Sequence, residues 1–375
     1  MGNISLKDVR KVYPSGYEAL KGLSLEIADG DLMVAVGPSG CGKTTLRKVI
    51  SGKEDIASGE LRFNGELMND VEMKDRKVAM MFQNYALYPN MTVYENLALG
   101  LKLRQVEQTE IDARVNEIAR LLELEPLLER LPKGLSEGQK QRVAMGRAAI
   151  CKPDIFLVEL PDLDFKLKGQ MRVALQKLNK ELGLTILYVT GDPEEALALG
   201  NKIVVMNAQE IQQIGTAEEI YEDPADMFVA QYFGKAAMNI LEATCEVDGE
   251  EVILDLKESK IRVGGQKAKC LIDGGYDGKV IFIGIRPEDI HDEPTIVNAC
   301  PNTTIESKII LHERVDVEMR LRFEYAGVRV SARVDLRTKN RTGDTVKFAF
   351  LEEKIHLFDK ETEEAILEES HGFKQ

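Results

Sequence analysis

The stretch LMVAVGPSGCGKTT, residues 32–45, decides the fold of this chain. Its first five residues are apolar and end at a glycine, which is typical of a fully buried strand. Residues 37–44 then fit the pattern G-x-x-x-x-G-K-[ST], and helix-period spacing follows from Thr44 to Ile50. A strand, a glycine-rich loop and a helix in this order predict a loop whose backbone N–H groups surround a phosphate.

The chemistry of this loop indicates the ligand class. The predicted phosphate-binding residues are Gly37, Pro38, Ser39, Gly40, Cys41, Gly42, Lys43, Thr44 and Thr45. Glycines let the backbone approach the ligand closely, Lys43 supplies a positive charge to the β- and γ-phosphates, and the Thr44 hydroxyl is a candidate ligand for Mg²⁺. The chain is therefore predicted to bind a nucleoside triphosphate.

The pattern along the chain predicts an α/β protein with two domains. Apolar runs of strand length recur on both sides of residues 88–150, a stretch rich in Leu, Glu, Arg and Ala that predicts an α-helical subdomain. Residues 1–235 thus read as a P-loop NTPase core with a parallel sheet. Residues 236–375 carry short β-like runs separated by glycine turns, which predict a small β-rich C-terminal domain, either an OB-like barrel or a sandwich.

Composition excludes several classes of function. The chain has 375 residues and a formal net charge of −14, which disfavours broad electrostatic binding to nucleic acid. No apolar run approaches the ~18 residues of a membrane span. The five cysteines are scattered and form no CxxC pair, which indicates a reduced, cytoplasmic protein.

Several further motifs resemble one family. LSEGQ at residues 135–139 resembles the LSGGQ signature of ABC-type ATPases, and Gln83 matches the Q-loop after the third strand. VGPSGCGKTTL, MMFQNYALYPNMTVYENLALGLKLR and IGIRPEDIHDE extend the likeness. Over essentially its whole length the chain resembles the ATP-binding subunit of bacterial ABC carbohydrate importers of the maltose or multiple-sugar type.

The resemblance implies ATP and Mg²⁺ as cofactors and assigns roles to named residues. Tyr13 lies where the family places an aromatic ring under adenine. Residues Ser136, Gly138 and Gln139 would bind the ATP held by a partner subunit, and Asp164 matches the D-loop aspartate. Gln83, with Thr44, would contact the metal, and Gln83 and Glu159 would be the catalytic residues.

The resemblance also implies partners and a location. These are a second ATP-binding subunit, in a homodimer or heterodimer, and membrane-spanning permease subunits. Nucleic acid is not an expected partner. The chain would lie at the cytoplasmic face of the membrane as a peripheral protein.

The sequence departs from the family pattern after the strand at residues 155–158. Family members there carry Asp-Glu, in which the Asp positions Mg²⁺ and the Glu polarises the attacking water. This chain reads Glu159-Leu160-Pro161 and is two residues shorter. Glu159 replaces the metal aspartate if Pro161 is the family's proline, whereas it is the catalytic carboxylate if the gap falls elsewhere. In both alignments one carboxylate stands where the family has two.

Two further departures concern groups near the γ-phosphate. The family's Thr-His-Asp becomes Thr190-Gly191-Asp192, so the histidine that contacts the γ-phosphate is missing. Glu137 replaces the middle glycine of the signature, where its carboxylate either faces the partner's γ-phosphate or points outward. The loss of a positioned base typically costs ~10²–10⁴ in rate, so the chain's own site is predicted to hydrolyse ATP slowly or not at all.

Three hypotheses follow from these motifs. In the first, the chain is the energy-coupling ATPase of a carbohydrate importer and works in complex. In the second, it is a clamp that dimerises around ATP without turnover and regulates a complete ATPase. The third, a soluble ABC-type ATPase that has no membrane partner and acts on nucleic acid or ribosomes, is disfavoured by the acidic charge.

Overall fold

The computed structural model describes residues 2–81, 87–160, 164–234, 236–315 and 317–366. The chain divides into two compact units, Met1–Ala217 and Glu218–Gln375. Among the described residues, no helix is both long enough and apolar enough to cross a membrane.

The first unit alternates strands and helices. Its described strands are β1 (Ile4–Val12), β2 (Glu18–Ile27), β3 (Leu32–Val36), β4 (Ser58–Phe63), β5 (Glu66–Leu67), β6 (Val78–Met81), β7 (Ile155–Val158), β8 (Ile186–Thr190), β9 (Lys202–Asn207) and β10 (Glu210–Gly215). Its described helices are α1 (Lys43–Ser51), α2 (Val93–Leu103), α3 (Gln108–Leu121), α4 (Glu137–Ala149), α5 (Phe165–Leu182) and α6 (Pro193–Leu199).

The central sheet places the ends of its parallel strands along one edge. Its strand order is β10-β9-β3-β8-β7-β6, and β9, β3, β8, β7 and β6 run parallel. Val36 at the end of β3 pairs with Thr190 of β8, and Val158 at the end of β7 pairs with Tyr188 of β8. The residues that follow β3, β7 and β8 therefore lie side by side, as ligand-binding residues of such sheets do.

The remaining strands of the first unit form a separate antiparallel sheet with the order β2-β1-β4-β5. The sequence suggested one parallel sheet for this domain, so the placement of β1 and β2 differs from that expectation. Their half-buried alternation is the pattern of an antiparallel sheet with one covered face.

The stretch expected to be an α-helical subdomain contains α2, α3 and α4, and its described residues form no strand. α2 begins with a capping box, in which the Thr92 hydroxyl accepts from the Glu95 backbone N–H and the Glu95 carboxylate accepts from the Thr92 N–H. The Asn96 side chain, fully buried, donates to the backbone carbonyl oxygens of Tyr88 and Met91 and so fixes the entry to this helix.

The second unit is rich in β-structure. Its described strands are β11 (Asn239–Asp248), β12 (Glu251–Asp255), β13 (Lys260–Val263), β14 (Val280–Ile285), β15 (Ile290–His291), β16 (Thr304–Val315), β17 (Glu318–Tyr325), β18 (Val328–Val334), β19 (Thr345–Phe350) and β20 (His356–Asp359). Its helices are α7 (Ala217–Glu222), α8 (Met227–Tyr232), α9 (Gly265–Asp273) and α10 (Pro294–Ala299). The strands form two five-stranded sheets, β13-β12-β11-β14-β20 and β15-β19-β16-β17-β18, around one core.

Residues from Glu218 onward group with the second unit, although the sequence assigned residues up to 235 to the first domain. The buried Arg286 guanidinium accounts for much of this, because it donates to the backbone carbonyl oxygens of Phe233 and Tyr221 and stacks on the Tyr221 ring. The Met227 N–H also donates to the Glu363 carbonyl oxygen near the end of the described chain.

Candidate nucleotide-binding site

The loop between β3 and α1 is shaped so that only glycine fits at its first position. Gly37 has φ +157°, and a Cβ there would lie 2.0 Å from the Met206 carbonyl oxygen and 2.8 Å from the Cys41 sulfur. Gly42, with φ +106°, precedes the first residue of α1 and makes no side-chain cap. The N-terminal N–H groups of α1 therefore remain available to an anion.

Lys43 is the first residue of α1, and its side chain contacts the loop. Its ammonium donates to the Gly37 carbonyl oxygen at 2.6 Å and the Pro38 carbonyl oxygen at 2.9 Å, and it lies 3.4 Å from the Cys41 sulfur. A positive charge, glycine backbone and a free helix N-terminus meet at one point. This arrangement fits the triphosphate of a nucleotide.

Two tyrosines contact the loop and its helix. The Tyr13 hydroxyl shares a hydrogen bond with the Thr45 hydroxyl at 3.3 Å, which places the predicted adenine ring partner beside α1. The Tyr17 hydroxyl donates to the Gly40 carbonyl oxygen at 3.0 Å, and the Gln209 side-chain amide donates to the same oxygen at 3.1 Å. Sequence reasoning missed Tyr17 and Gln209, because no motif connects the β1–β2 and β9–β10 turns to the phosphate loop.

Glu159 is the first residue after β7, and its carboxylate faces α1. The Glu159 Oε2 atom lies 2.8 Å from Nη2 of Arg47, with the two side chains 20% and 10% exposed. Arg47 follows Thr44 by three residues and Lys43 by four, so all three lie on neighbouring positions of one helix face. Sequence reasoning missed Arg47, because nothing in the Lys-Thr-Thr-Leu-Arg-Lys start of α1 marks one of its cations as the partner of a residue after β7.

Leu160, the other candidate for the position of the catalytic glutamate, is a buried apolar residue with 8% exposure. Residues 161–163, which carry the shortened turn, and Gln83, the predicted Q-loop residue, lie outside the described residues.

Gly191 follows β8 at the edge of the phosphate loop. A Cβ at this position would meet the Gly37 carbonyl oxygen at 3.8 Å, an ordinary van der Waals contact, so a larger side chain there would point at the loop. Next to it the Thr190 hydroxyl donates to the buried Glu195 carboxylate at 2.7 Å. Burial, with the Glu195 carboxylate as a second cause, raises the pKa of the Tyr188 hydroxyl far above its usual range. Tyr188 therefore stays neutral at every physiological pH.

The signature residues form the start of α4. The Ser136 hydroxyl accepts from the Gln139 N–H at 3.4 Å and the Gln139 side-chain oxygen accepts from the Ser136 N–H at 2.9 Å, a capping box. A Cβ on Gly138 would lie 2.6 Å from Leu167 of α5, so the glycine permits close packing of the two helices. The Glu137 side chain is 59% exposed and lies 3.6 Å from the Lys140 ammonium.

Asp164 caps the helix that follows. Its carboxylate accepts from the Leu167 N–H at 2.9 Å at the start of α5. Its side chain is exposed, and its described hydrogen bond is local to this helix start.

Of the two predicted metal contacts, Thr44 is among the described residues and Gln83 is not. Thr44 is exposed in the first turn of α1 and offers one hydroxyl. The nearby carboxylate of Glu159 is in an ion pair with Arg47. Within the described ranges, no group of three His, Cys, Asp or Glu residues is arranged to hold a metal ion.

Comparison with known proteins gives the same picture as the loop geometry. The family model described as "ABC transporter" matches residues 20–161, and the one described as "MalK OB fold domain" matches residues 237–290. CbiO1 of Clostridium perfringens, described as part of the ABC transporter complex CbiONQ, has a similar fold, with a TM-score of 0.55 and 26% identity over 58% of this chain and 89% of that one.

Full-length relatives are more similar in sequence. The oligosaccharides import ATP-binding protein MsmX of Bacillus subtilis is 43% identical over 97% of this chain and 99% of its own length. The trehalose/maltose import ATP-binding protein MalK of Thermococcus litoralis is 41% identical over 98% of this chain and 100% of its own. The multiple sugar-binding transport ATP-binding protein MsmK of Streptococcus mutans is 40% identical over the same shares. Similarity of this degree along the whole chain, together with the intact phosphate loop, confirms the resemblance: the chain belongs to the family of ATP-binding subunits of ABC sugar-import transporters.

Proposed function

We propose that this chain binds ATP at its phosphate loop, pairs with a second ATP-binding subunit and couples ATP to sugar import, while its own site hydrolyses ATP slowly or not at all. The observation that carries the proposal is the contrast between an intact loop around Lys43 and the Glu159 carboxylate held by Arg47.

The binding half of the proposal rests on the loop. Glycines at residues 37 and 42, the Lys43 ammonium and the open start of α1 are the groups that a triphosphate requires. Tyr13 beside Thr45 is the candidate ring partner of adenine, and Thr44, with Gln83 outside the described residues, is the candidate metal contact.

The weak-hydrolysis half rests on the groups at the ends of β7 and β8. Glu159 is in an ion pair, Leu160 is apolar and buried, and residue 191 has no side chain to reach the γ-phosphate. Loss of a positioned base or water-orienting group typically costs ~10²–10⁴ in rate, about 3–5.5 kcal/mol in activation free energy. The effects of losing groups that act together are not additive. We therefore expect the total loss in hydrolysis rate to lie within this range and not to be the product of the separate losses.

The proposed partners and location come from the relatives. Their names describe import ATP-binding proteins, which supports permease subunits as the membrane partners of this chain and the cytoplasmic face of the membrane as its location. A second ATP-binding subunit would supply the other half of each composite site. The Ser136–Gln139 capping box supports a role for the signature of this chain in its partner's site.

A non-hydrolysing clamp is the second candidate function. The Arg47–Glu159 ion pair favours it, because a carboxylate oxygen that lies 2.8 Å from a guanidinium is already engaged by a group other than the attacking water. The two candidates differ in whether turnover appears when a complete partner subunit and the permease are present.

Binding and turnover measured on one sample test the proposal. We expect ATP to bind to the purified chain while steady-state turnover stays well below ~1 s⁻¹, near the low end for enzymes. Turnover of ~1 s⁻¹ or more without a partner would refute the impaired site, and absence of ATP binding would refute the nucleotide-binding role.

Restoring the missing groups tests the cause. We expect the double variant Leu160→Glu/Gly191→His to raise turnover at least about tenfold, the low side of the loss attributed to such groups. The matched control, Leu160→Gln/Gly191→Asn, introduces polar side chains at the same two positions without the acid and the imidazole. An equal rise in both double variants would contradict this explanation.

A further inference from the structure

The turn between β9 and β10 holds two residues in a backbone conformation that their side chains disfavour. Asn207 pairs with Glu210 across this hairpin, so Ala208 and Gln209 form a two-residue turn. Their φ angles are +48° and +71°, the left-handed values of a hairpin turn in which glycine is a preferred residue. A residue other than glycine costs free energy in this conformation and persists there only where surrounding contacts hold it.

Contacts on both sides of the turn hold it in place. On one side, the Lys21 backbone N–H donates to the Gln209 carbonyl oxygen at 3.2 Å, and the Lys21 ammonium donates to the Ala208 carbonyl oxygen at 2.9 Å. On the other side, the Gln209 side-chain amide donates to the Gly40 carbonyl oxygen at 3.1 Å and to the Tyr17 hydroxyl at 3.2 Å. A glycine at residue 209 would make neither of these side-chain contacts. The residue that carries the backbone strain is therefore also the one that reaches the phosphate loop.

Two donors on the Gly40 carbonyl oxygen fix the orientation of one peptide unit of the loop. The oxygen accepts from the Gln209 amide at 3.1 Å and from the Tyr17 hydroxyl at 3.0 Å. It belongs to the same planar trans peptide unit as the Cys41 N–H, and the two groups point in opposite directions. The N–H thus points away from Gln209, and it donates to the Pro38 carbonyl oxygen in a long hydrogen bond of 3.3 Å. Inward-pointing N–H groups of this kind are the ones that bind phosphate oxygens.

Gln209 holds this peptide unit both directly and through Tyr17. The Tyr17 ring is 48% exposed, so its hydroxyl depends on hydrogen bonds for its position. Loss of that hydroxyl leaves the bond from Gln209 to Gly40 in place, whereas loss of the Gln209 amide removes this bond and also releases Tyr17. We infer that Gln209 is a positioning residue that orients the Gly40–Cys41 peptide unit for the phosphates of the nucleotide. The inference rests on the proposed nucleotide binding at the loop, and its physical basis is that a loop ordered in advance costs less to bind.

Ligand binding by two variants tests this inference without using hydrolysis. Gln209→Met keeps the length of the side chain and the strained φ but has no donor, whereas Gln209→Gly removes the donor and suits the φ of +71°. The probes are a slowly hydrolysed ATP analogue and inorganic triphosphate, each measured by calorimetry with Mg²⁺ present. We expect both variants to lose about fivefold in affinity for both probes, which corresponds to ~1 kcal/mol, the net contribution of one hydrogen bond.

The melting temperature separates positioning from a merely structural role. We expect Gln209→Gly to melt about 2–4 °C above Gln209→Met, because glycine relieves the backbone strain. The two variants would then differ in stability and share the same loss of affinity. Ala208→Gly is the matched control, since it relieves strain at the neighbouring turn residue and keeps the Gln209 amide. We expect its affinity for both probes to stay within about twofold of the wild type, less than the loss of one hydrogen bond.

The outcomes separate the inference from the proposed function. Wild-type affinity in both Gln209 variants overturns the inference, while the proposed nucleotide binding stands. An affinity that follows the melting temperature, with Gln209→Gly equal to the wild type and Gln209→Met weaker, also overturns it, because residue 209 would then act only through the stability of the turn. A loss confined to the ATP analogue overturns it as well, since the phosphates would not be the group affected. No binding of the analogue by the wild type overturns both the inference and the proposed function.

Discussion

Removing one member of the Arg47–Glu159 pair is expected to destabilise the first unit, whereas removing both is expected to cost much less. The two side chains are 10% and 20% exposed and their charged atoms are 2.8 Å apart, so neither charge has full access to water. Arg47 is on α1 and Glu159 follows β7, so the pair joins the phosphate-loop helix to the central sheet.

The magnitude follows from Coulomb attraction and desolvation. At an effective dielectric constant of ~20, two unit charges 2.8 Å apart attract by about 6 kcal/mol, and desolvation opposes most of that gain. Leaving one fully buried charge without its partner costs ~3–5 kcal/mol. Since Glu159 retains some contact with solvent, we expect about 2 kcal/mol for Arg47→Met and about 2 kcal/mol for Glu159→Gln.

A double-mutant cycle isolates the pair. We expect the free energy of unfolding of Arg47→Met/Glu159→Gln to fall by only about 1 kcal/mol, which gives a coupling energy of about 3 kcal/mol between the two side chains. Urea unfolding followed by far-UV circular dichroism suits the chain, which contains no tryptophan. Hydrogen exchange of peptides that cover α1 and β7 then assigns the loss to the first unit.

Additive single effects would refute the reasoning. A coupling energy within ~0.5 kcal/mol of zero is the value found for residues that do not share a partner. A coupling energy that disappears at high salt would mean that the pair is solvated, since buried pairs are screened far less than exposed ones. Either result would return Glu159 to the role of an accessible carboxylate.

Three further predictions concern the loop, the aromatic contact and the second unit. Tyr13→Ala should weaken ATP binding about tenfold in calorimetry, since base stacking on an aromatic ring is worth ~1–3 kcal/mol. Tyr17→Phe, which keeps its ring and loses the hydroxyl contacts to Gly40 and Gln209, should stay within about twofold. Equal losses in the two variants would contradict the assignment of Tyr13. Gly37→Ala should abolish ATP binding and lower the melting temperature, because its Cβ would lie 2.0 Å from the Met206 carbonyl oxygen, and tight binding by that variant would contradict the loop geometry. Burial, with nearby cations as the smaller cause, lowers the pKa of His356 to about 3, so only the unfolded chain takes up this proton between about pH 6.5 and pH 3. In urea unfolding, the wild type should therefore lose about 2 kcal/mol more stability than His356→Gln between pH ~7.5 and pH ~5. Equal losses of stability in the two proteins would contradict this prediction.

The sequence predicted those parts of the site that depend on local spacing. The strand–loop–helix order at residues 32–50 and the strands at 155–158 and 203–206 were readable, because a buried strand and a phosphate loop each carry a short pattern. The S-x-x-Q spacing of Ser136 and Gln139 was equally readable as a capping box, although it was interpreted only as a signature.

The rest depended on contacts between distant segments. Arg47 and Glu159 are 112 positions apart in sequence and meet only because α1 packs beside the end of β7. Tyr17 and Gln209 reach Gly40 from turns in two different sheets, which no periodicity predicts. The separate sheet of β1 and β2 also escaped prediction, since alternation indicates one buried face but not which strands pair.

The residues that this chain would offer to a partner's nucleotide are intact, whereas those it would use on its own nucleotide are altered. This difference affects how the chain would work in a dimer. The groups this chain would offer to a partner's nucleotide, Ser136 and Gln139, keep a complete capping box, and the Glu137 charge faces solvent near Lys140. The groups it would use on its own nucleotide are a paired Glu159 and a side-chain-free Gly191. Under the proposed function, a heterodimer with a complete subunit would therefore hydrolyse ATP at the site built from the partner's phosphate loop and this chain's signature. A homodimer would repeat the deficit at both sites, so sustained transport favours the mixed pair.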